Sequence, residues 1–293
     1  VNNSQTKSSL LWYTMNGSSD DTNIVYAIGM ADVDNDGDME VIEGKGNGTV
    51  FAWNHTDKVI INSNEQVQVG PDLIWVKNVG NESYHVHSID VVPGSDGSDD
   101  IFIGGDDYQI YGINAADGSE LWTPYNTTSE IQEIKAGDLD DDNIKDEVVA
   151  ITYNGTIYAL NSDGSLYWNF YIGGIGHSIY VEKMWNDKVR IVAGNSANTT
   201  VMFEPDGTMI SNLTTGGPVW DLAIINTTGE FGYDAIIAAT WAPTVLAYTN
   251  DSAPVVFDLT KPDNDTTSIN VTPTFTWEVT VDLDFLNYTV LID

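Results

Sequence analysis

Apolar and polar residues alternate along most of this chain with the two-residue period of half-buried strands, and no long stretch carries helical periodicity. Four kinds of apolar segment recur in fixed order. An aromatic one comes first: LLWYTM at 10–15, LIWVKN at 73–78, ELWTPY at 120–125, LYWNFY at 166–171 and a weaker MISNLT at 209–214. The second comprises VYAIGMADV, VHSIDVV, IQEIKAGDL, SIYVEKMW and VWDLAII. A polar or acidic loop follows, then EVIEG, DIFIGG, EVVAI, VRIVAG and AIIAA. The fourth, TVFAWN, QIYGIN, TIYALN, TVMFEP and VLAYTN, often closes on an Asp-Gly turn such as ADGS or PDGT.

From Trp75 to Trp122 to Trp168 the period is about 45 residues, the size of a four-stranded propeller blade. A single four-stranded unit cannot bury both faces, so the units must stack around an axis. Each segment occurs five times. The last unit lacks its aromatic strand, while the chain begins with one that has no unit before it. These counts predict an all-β, five-bladed β-propeller over 9–252, after an extension at 1–8, with 10–15 closing the last blade. Six to eight blades are the alternative, and the insertion HTDKVIINSNEQVQVGPD could hide an extra hairpin. Tryptophans as regularly placed as Trp12, Trp75, Trp122 and Trp168 are expected between blades rather than on a ligand. Residues 253–293, with Pro-rich punctuation and then TFTWEV and LNYTVLI, read as the start of an immunoglobulin- or fibronectin-like domain; the alternative is that these strands pack onto the propeller.

The charge pattern narrows the partners. With 42% hydrophobic and 11% aromatic residues the chain is no disordered acidic tail. Its net charge of −34 repels nucleic acid and anionic lipid. No apolar run is long enough for a membrane-spanning helix, and with no cysteine there is no disulfide or thiolate chemistry. The first residues carry no signal-peptide pattern, as expected of a chain whose leader is already gone. The acceptor pattern N-x-S/T occurs 14 times, among them at Asn47, Asn54, Asn126, Asn154 and Asn198. Composition alone would give roughly 4. An extracellular or cell-surface glycoprotein is expected; Asn and Thr simply populating turns is the alternative.

Two loops concentrate the carboxylates. In DVDNDGDME, Asp32, Asp34, Asp36 and Glu40 fall at positions 1, 3, 5 and 9, Gly37 permits a sharp turn, and Asp38 can offer its carbonyl. In DLDDDNIKD the same places hold Asp138, Asp140, Asp142 and Asp146, with the Ile144 carbonyl, and Asn143 replaces the glycine. Alternating oxygens along a turn suit calcium, which takes six to eight of them; a merely solvated acidic turn is the alternative. Glu43 completes an EF-hand pattern, but the flanks read as strands, so a strand–loop–strand site is expected. The corresponding loops of the other units, PGSDGSDD, NDK and NTTGEFGYD, are too degenerate for a strong metal site. An ion whose shell the carboxylates fill would hold the turn rather than catalyse.

Aligning the second segments on Ile28, Ile89, Ile134, Ile179 and Leu222 gives equivalent positions two residues earlier: Tyr26, His87, Gln132, His177 and Trp220. Such a ring of polar and aromatic groups suits a sugar or small polar ligand, or else caps a packed channel. His85 and His87 share one strand face, as in some zinc sites, but the sequence shows no third ligand. No nucleophile elbow, phosphate loop or metallohydrolase motif is present, so no catalytic residue is assigned.

The segments TIYALNSDGSLYWNF and QIYGINAADGSELW resemble pyrroloquinoline-quinone-type propeller repeats, and the acidic loops resemble the calcium loops of integrin-like FG-GAP repeats. The resemblance implies a calcium-stabilised propeller of the kind found in archaeal and bacterial surface-layer and adhesion-type proteins. The adjacent cysteines of the quinone enzymes have no counterpart here. The expectation is a non-enzymatic module for binding, adhesion or structure, its partner a glycan or a cell-surface protein. The alternative is a carbohydrate-active lyase or hydrolase with its site on the ringed face.

Overall fold

The computed structural model describes residues 24–61, 67–80, 84–94, 97–184, 188–225, 235–241, 244–249, 255–261, 276–281 and 288–291. Five four-stranded antiparallel sheets follow one another along the chain. The first contains β1 (Val25–Ala31), β2 (Glu40–Lys45), β3 (Thr49–Ile61) and β4 (Val67–Asn78). The second contains β5 (Val86–Pro93), β6 (Asp99–Gly105), β7 (Gln109–Asn114) and β8 (Tyr125–Asn126). The third runs through β9 (Ile131–Gly137), β10 (Glu147–Thr152), β11 (Thr156–Leu160) and β12 (Leu166–Tyr171). The fourth runs through β13 (Gly176–Met184), β14 (Lys188–Asn195), β15 (Thr199–Phe203) and β16 (Met209–Thr214). In the fifth, β17 (Val219–Ile225), β18 (Ala235–Thr240) and β19 (Thr244–Thr249) are completed by a strand from far along the chain, Tyr288–Leu291.

That last pairing corrects the expected closure. The free edge of β19 is taken by 288–291, not by 10–15, which lies outside the described residues. An open edge is costly, and the tail supplies the missing ladder. The tail also forms a separate two-stranded sheet, β20 (Val255–Lys261) with β21 (Thr276–Val281), so the strand at 288–291 is β22 in chain order. One of its strands belongs to the fifth sheet, and an immunoglobulin-like sandwich is not shown. The insertion of the first unit lengthens β3 and β4 into one irregular hairpin rather than adding a blade. ELWTPY does not form a full strand: Glu120 makes an isolated bridge to Ile113 and Tyr125–Asn126 pairs with β7, and the ladder is broken between them, where Pro124 has no N–H to give.

First strands pack on first strands, β1 on β5, β5 on β9, β9 on β13 and β13 on β17, which places them innermost. The second strands of the first four sheets are almost wholly buried, while the fourth strands β12 and β16 are largely exposed. The core lies in slabs between consecutive sheets: Ile42, Ile89 and Ile103 join the first two, and Phe102, Ile134 and Val148 the next. Val149, Ile179 and Phe203 fill the third joint; Val192, Leu222 and Ile236 fill the fourth.

Each joint matches large with small. Gly44 meets Val86, Gly104 meets Ile131, and Gly194 meets Val219. At the third joint the sizes trade sides, Ile151 filling the space over Gly176. Close packing requires only that the sum be kept. The inner strands are sheet edges, and neighbouring side chains satisfy their outward N–H groups. The Ile134 and Ala136 N–H groups donate to Ser88 Oγ and Asp90 Oδ2, and the Ile179 N–H to Glu133 Oε2 at 2.7 Å.

The outer tryptophans lock blade to blade. Trp75, Trp122 and Trp168 each lie against the Asp-Gly turn of the next sheet, at Gly118, Gly164 and Gly207. All three glycines have positive φ. Trp75 Nε1 donates to the Ala115 carbonyl and Trp168 Nε1 to the Pro205 carbonyl, both at 2.7 Å. Trp122 Nε1 is buried without an acceptor among the described residues, the counterpart of the irregular ELWTPY segment. Trp12 lies outside the described residues.

One joint differs. Ile89, Ile134, Ile179 and Leu222 are buried against the preceding sheet, but the equivalent Ile28 is 72% exposed and Met30 67%. Among the described residues no sheet covers this face of β1.

Candidate functional site

Each inner strand carries one extra residue at the same place. Pairing with the second strand steps from Val25 to Ala27, Val86 to Ser88, Ile131 to Glu133, Gly176 to Ser178 and Val219 to Asp221. The residues skipped are Tyr26, His87, Gln132, His177 and Trp220, the five of the sequence alignment. A bulge leaves its extra residue out of the ladder and re-aims the side chain, so five bulges present five side chains at one end of the sheets.

Several neighbours around this rim touch. Tyr26 stacks on His85 at 4.7 Å between ring centroids and lies 6.5 Å from His87. His87 Nδ1 donates to the carbonyl of Ile131, next to the half-buried Gln132, at 3.1 Å. His177 stacks on Trp220 at 4.1 Å, and Trp220 faces Trp241 at 5.4 Å. Burial holds the His177 imidazole below its ordinary pKa, which favours its neutral form at neutral pH. Trp241 was not among the sequence candidates. It follows β18 and reaches the rim because its N–H donates to the Pro218 carbonyl.

That hydrogen bond also recurs in every four-stranded sheet. The N–H of Gly46, Asp106, Tyr153, Ser196 and Trp241 donates to the carbonyl of Ile24, His85, Glu130, Ile175 and Pro218, respectively. Each sheet therefore offers three rim positions, two flanking the start of the inner strand and one just after the second strand.

The acidic loops sit at the other end of the inner strands, between β1 and β2 and between β9 and β10. They are built alike. Asp32 accepts the N–H groups of Asp36 and Gly37, and Asp138 those of Asp142 and Asn143, at 3.0–3.1 Å. Asp36 accepts from Asp38, and Asp142 from Ile144. φ is positive at Asn35 and Gly37 and again at Asp141 and Asn143, where it is 70°. Asparagine tolerates that conformation and β-branched residues do not. Asn143→Val should therefore cost about 1–3 kcal/mol while Asn143→Gly is neutral, measured by denaturant unfolding.

The final carboxylate differs from the sequence register. Glu40 Oε2 accepts the Val33 N–H at 2.9 Å, and its counterpart is Glu147 Oε2 on the Leu139 N–H at 2.8 Å. The second loop is one residue longer. Oxygens converge from Asp32, Asp34 and Asp36 in the first loop, and from Asp138, Asp140 and Glu147 in the second. Asp142 and Asp146 stand outside that second triad. Glu43, of the EF-hand pattern, is buried instead, accepting from Trp53 Nε1 at 2.6 Å and pairing with Lys45.

Burial pushes the Glu147 carboxyl up to about 7, and Asp140 and Asp146 add to the shift against the opposing Leu139 N–H. Asp146 Oδ1 is buried with no hydrogen-bond partner among the described residues, and Lys183 Nζ stands 4.0 Å from Asp138 Oδ2. Crowded, partly buried carboxylates with an orphaned oxygen fit a hard divalent cation. Turn chemistry accounts for part of the N-x-T pattern: Asn47 and Asn154 accept the N–H of Thr49 and Thr156.

Residues 125–217, spanning the third and fourth sheets, match the family model for the lambda-carrageenase β-propeller domain. No curated protein matches the chain. Among solved structures, Saccharomyces cerevisiae Sqt1 is similar with a TM-score of 0.58 at 13% identity, over 86% of this chain and 69% of that one. BBS1N in complex with ARL6DN is similar with a TM-score of 0.50 at 14% identity, over 78% of this chain and 79% of that one. Such identities speak for fold alone, and the fold is that of a β-propeller. No helix among the described residues is long and apolar enough to cross a membrane.

Proposed function

We propose that this chain is an extracellular, calcium-stabilised β-propeller that binds polysaccharide at the bulged end of its sheets. The observation that carries the reading is the row of five equivalent bulges, ending in Trp220 with Trp241 beside it, which are 47% and 72% exposed. Aromatic faces left in water beside polar neighbours are what a sugar ring stacks on. The partial match to a carrageenase propeller supports a polysaccharide over a protein partner. The charge of −34 disfavours an anionic polymer unless divalent cations bridge it. In the same reading the two acidic loops hold calcium, and the five sheets form one ring that closes on the exposed face of Ile28 and Met30.

A glycan array probed with the full chain tests this. Trp220→Ala and Trp241→Ala should each weaken binding about tenfold or more, consistent with about 1.4 kcal/mol per decade, and leave the melting temperature unchanged. Equal binding by both variants would overturn the site. The carrageenase match also favours a second reading, a carbohydrate-active enzyme, which predicts release of new reducing ends from the bound glycan.

A further inference from the structure

The second sheet differs from the other four at the rim. Its three framework positions hold His85, His87 and Asp106, whereas the first holds Ile24, Tyr26 and Gly46 and the fifth Pro218, Trp220 and Trp241. One ligand atom from each of the three lies within 4.8 Å of the others. We propose that they form a binding site for a zinc-like divalent cation, independent of the acidic loops and of any glycan.

The hydrogen bonding points to a missing positive charge. His87 Nδ1 faces the Ile131 carbonyl at 3.1 Å. A carbonyl only accepts, so Nδ1 carries a proton and a neutral imidazole presents its lone pair at Nε2. That Nε2 lies 2.6 Å from Asp106 Oδ1, an atom that is buried yet receives no well-directed hydrogen bond from the described residues. Two lone pairs that close repel unless a proton or a metal ion lies between them. A histidine whose outer N–H is fixed by a backbone carbonyl is the usual arrangement for a metal ligand.

The remaining groups hold the third ligand in place. His85 Nδ1 stands 3.0 Å from Asp106 Oδ2, and Tyr26 stacks on the same imidazole. The Asp106 N–H donates to the His85 carbonyl, and the His85 N–H donates back to Asp106 Oδ2. A Cβ on the preceding Gly105 would collide with that carbonyl, so the approach of the two strands depends on glycine there. Two imidazoles and one carboxylate suit zinc and related transition metals, whereas calcium prefers oxygen alone. Around a tetrahedral zinc the ligand atoms would stand about 3.3 Å apart for bonds of about 2.0 Å, so Nε2 and Oδ1 must spread slightly as the ion enters. Three protein ligands leave the fourth position to water or a bound molecule.

The test titrates the metal-stripped full chain with Zn²⁺ alone in millimolar calcium, which fills the acidic loops, and with Co²⁺ to read coordination from visible absorption. Wild type should bind one zinc tightly and give the intense bands of a nitrogen-containing, low-coordinate cobalt site. His87→Ala and Asp106→Asn should each weaken that site by at least about tenfold and abolish the bands. His177→Ala and His55→Ala should change neither. Asp106→Asn preserves side-chain shape, and circular dichroism confirms folding of every variant. Zinc binding equal in wild type, His87→Ala and Asp106→Asn would overturn the proposal. So would a wild-type cobalt spectrum typical of oxygen ligands only, because a proton would then be the bridge.

Discussion

Stripping divalent cations from the full chain at pH 8 should lower its melting temperature by about 10–20 °C, and calcium should restore it. At about a hundred times its dissociation constant, a bound ion adds about 2.7 kcal/mol. Two such sites, at about 2–4 °C per kcal/mol for a chain of this size, give that range. Asp138→Asn should remove about half of the effect, while Asp117→Asn, in an exposed turn, should remove none. The effect should also depend on pH. Without an ion, Glu147 titrates near 7 when folded and near 4.5 when unfolded, so between those values the folded form holds a proton that the unfolded form has lost. Stability of the stripped protein therefore falls as pH rises from about 4.5 to 7 and levels off above. A cation replaces the proton, so chelation should cost more at pH 8 than at pH 5. A calcium-independent melt at both pH values would defeat the calcium reading.

Removing one interblade tryptophan should be the most damaging single substitution. Trp168→Ala takes away an indole packed on Gly207 and Phe203 and its hydrogen bond to Pro205. Large-to-small changes of aromatic side chains cost about 3–5 kcal/mol, a fall of about 10 °C or more. Gly207→Ala attacks the same joint from the other side, forcing a Cβ into the ring at a positive φ. It should cost about 2 kcal/mol or more. Trp241→Ala, at a residue 72% exposed, is the control and should leave the melt where it was. If Trp168→Ala melted like wild type, the outer tryptophans would not be holding the blades together.

Where the sequence and the structure part company, the cause is tertiary. The strand segments EVIEG and EVVAI align Glu40 with Glu147, yet counting by twos along the loop selects Asp146. A one-residue difference in loop length is invisible to a spacing rule but not to two strands that must begin at the same height. Asp106 escaped notice as a partner for His85 and His87 because it comes from the turn after a different strand, some twenty residues on. Trp241 reaches the rim by a backbone hydrogen bond that no side-chain pattern records.

The sequence by itself determined the all-β class, the repeating four-strand unit, the regular spacing of Trp75, Trp122 and Trp168, and the equivalence of Tyr26, His87, Gln132, His177 and Trp220. All of these follow from local periodicity and from a repeat that aligns with itself. Only the tertiary structure decided that those five positions are bulges, that 288–291 completes the fifth sheet, and that His85 and His87 meet a carboxylate. Strand register and edge pairing depend on which backbone groups remain unsatisfied once distant segments have packed, and a linear pattern cannot express that.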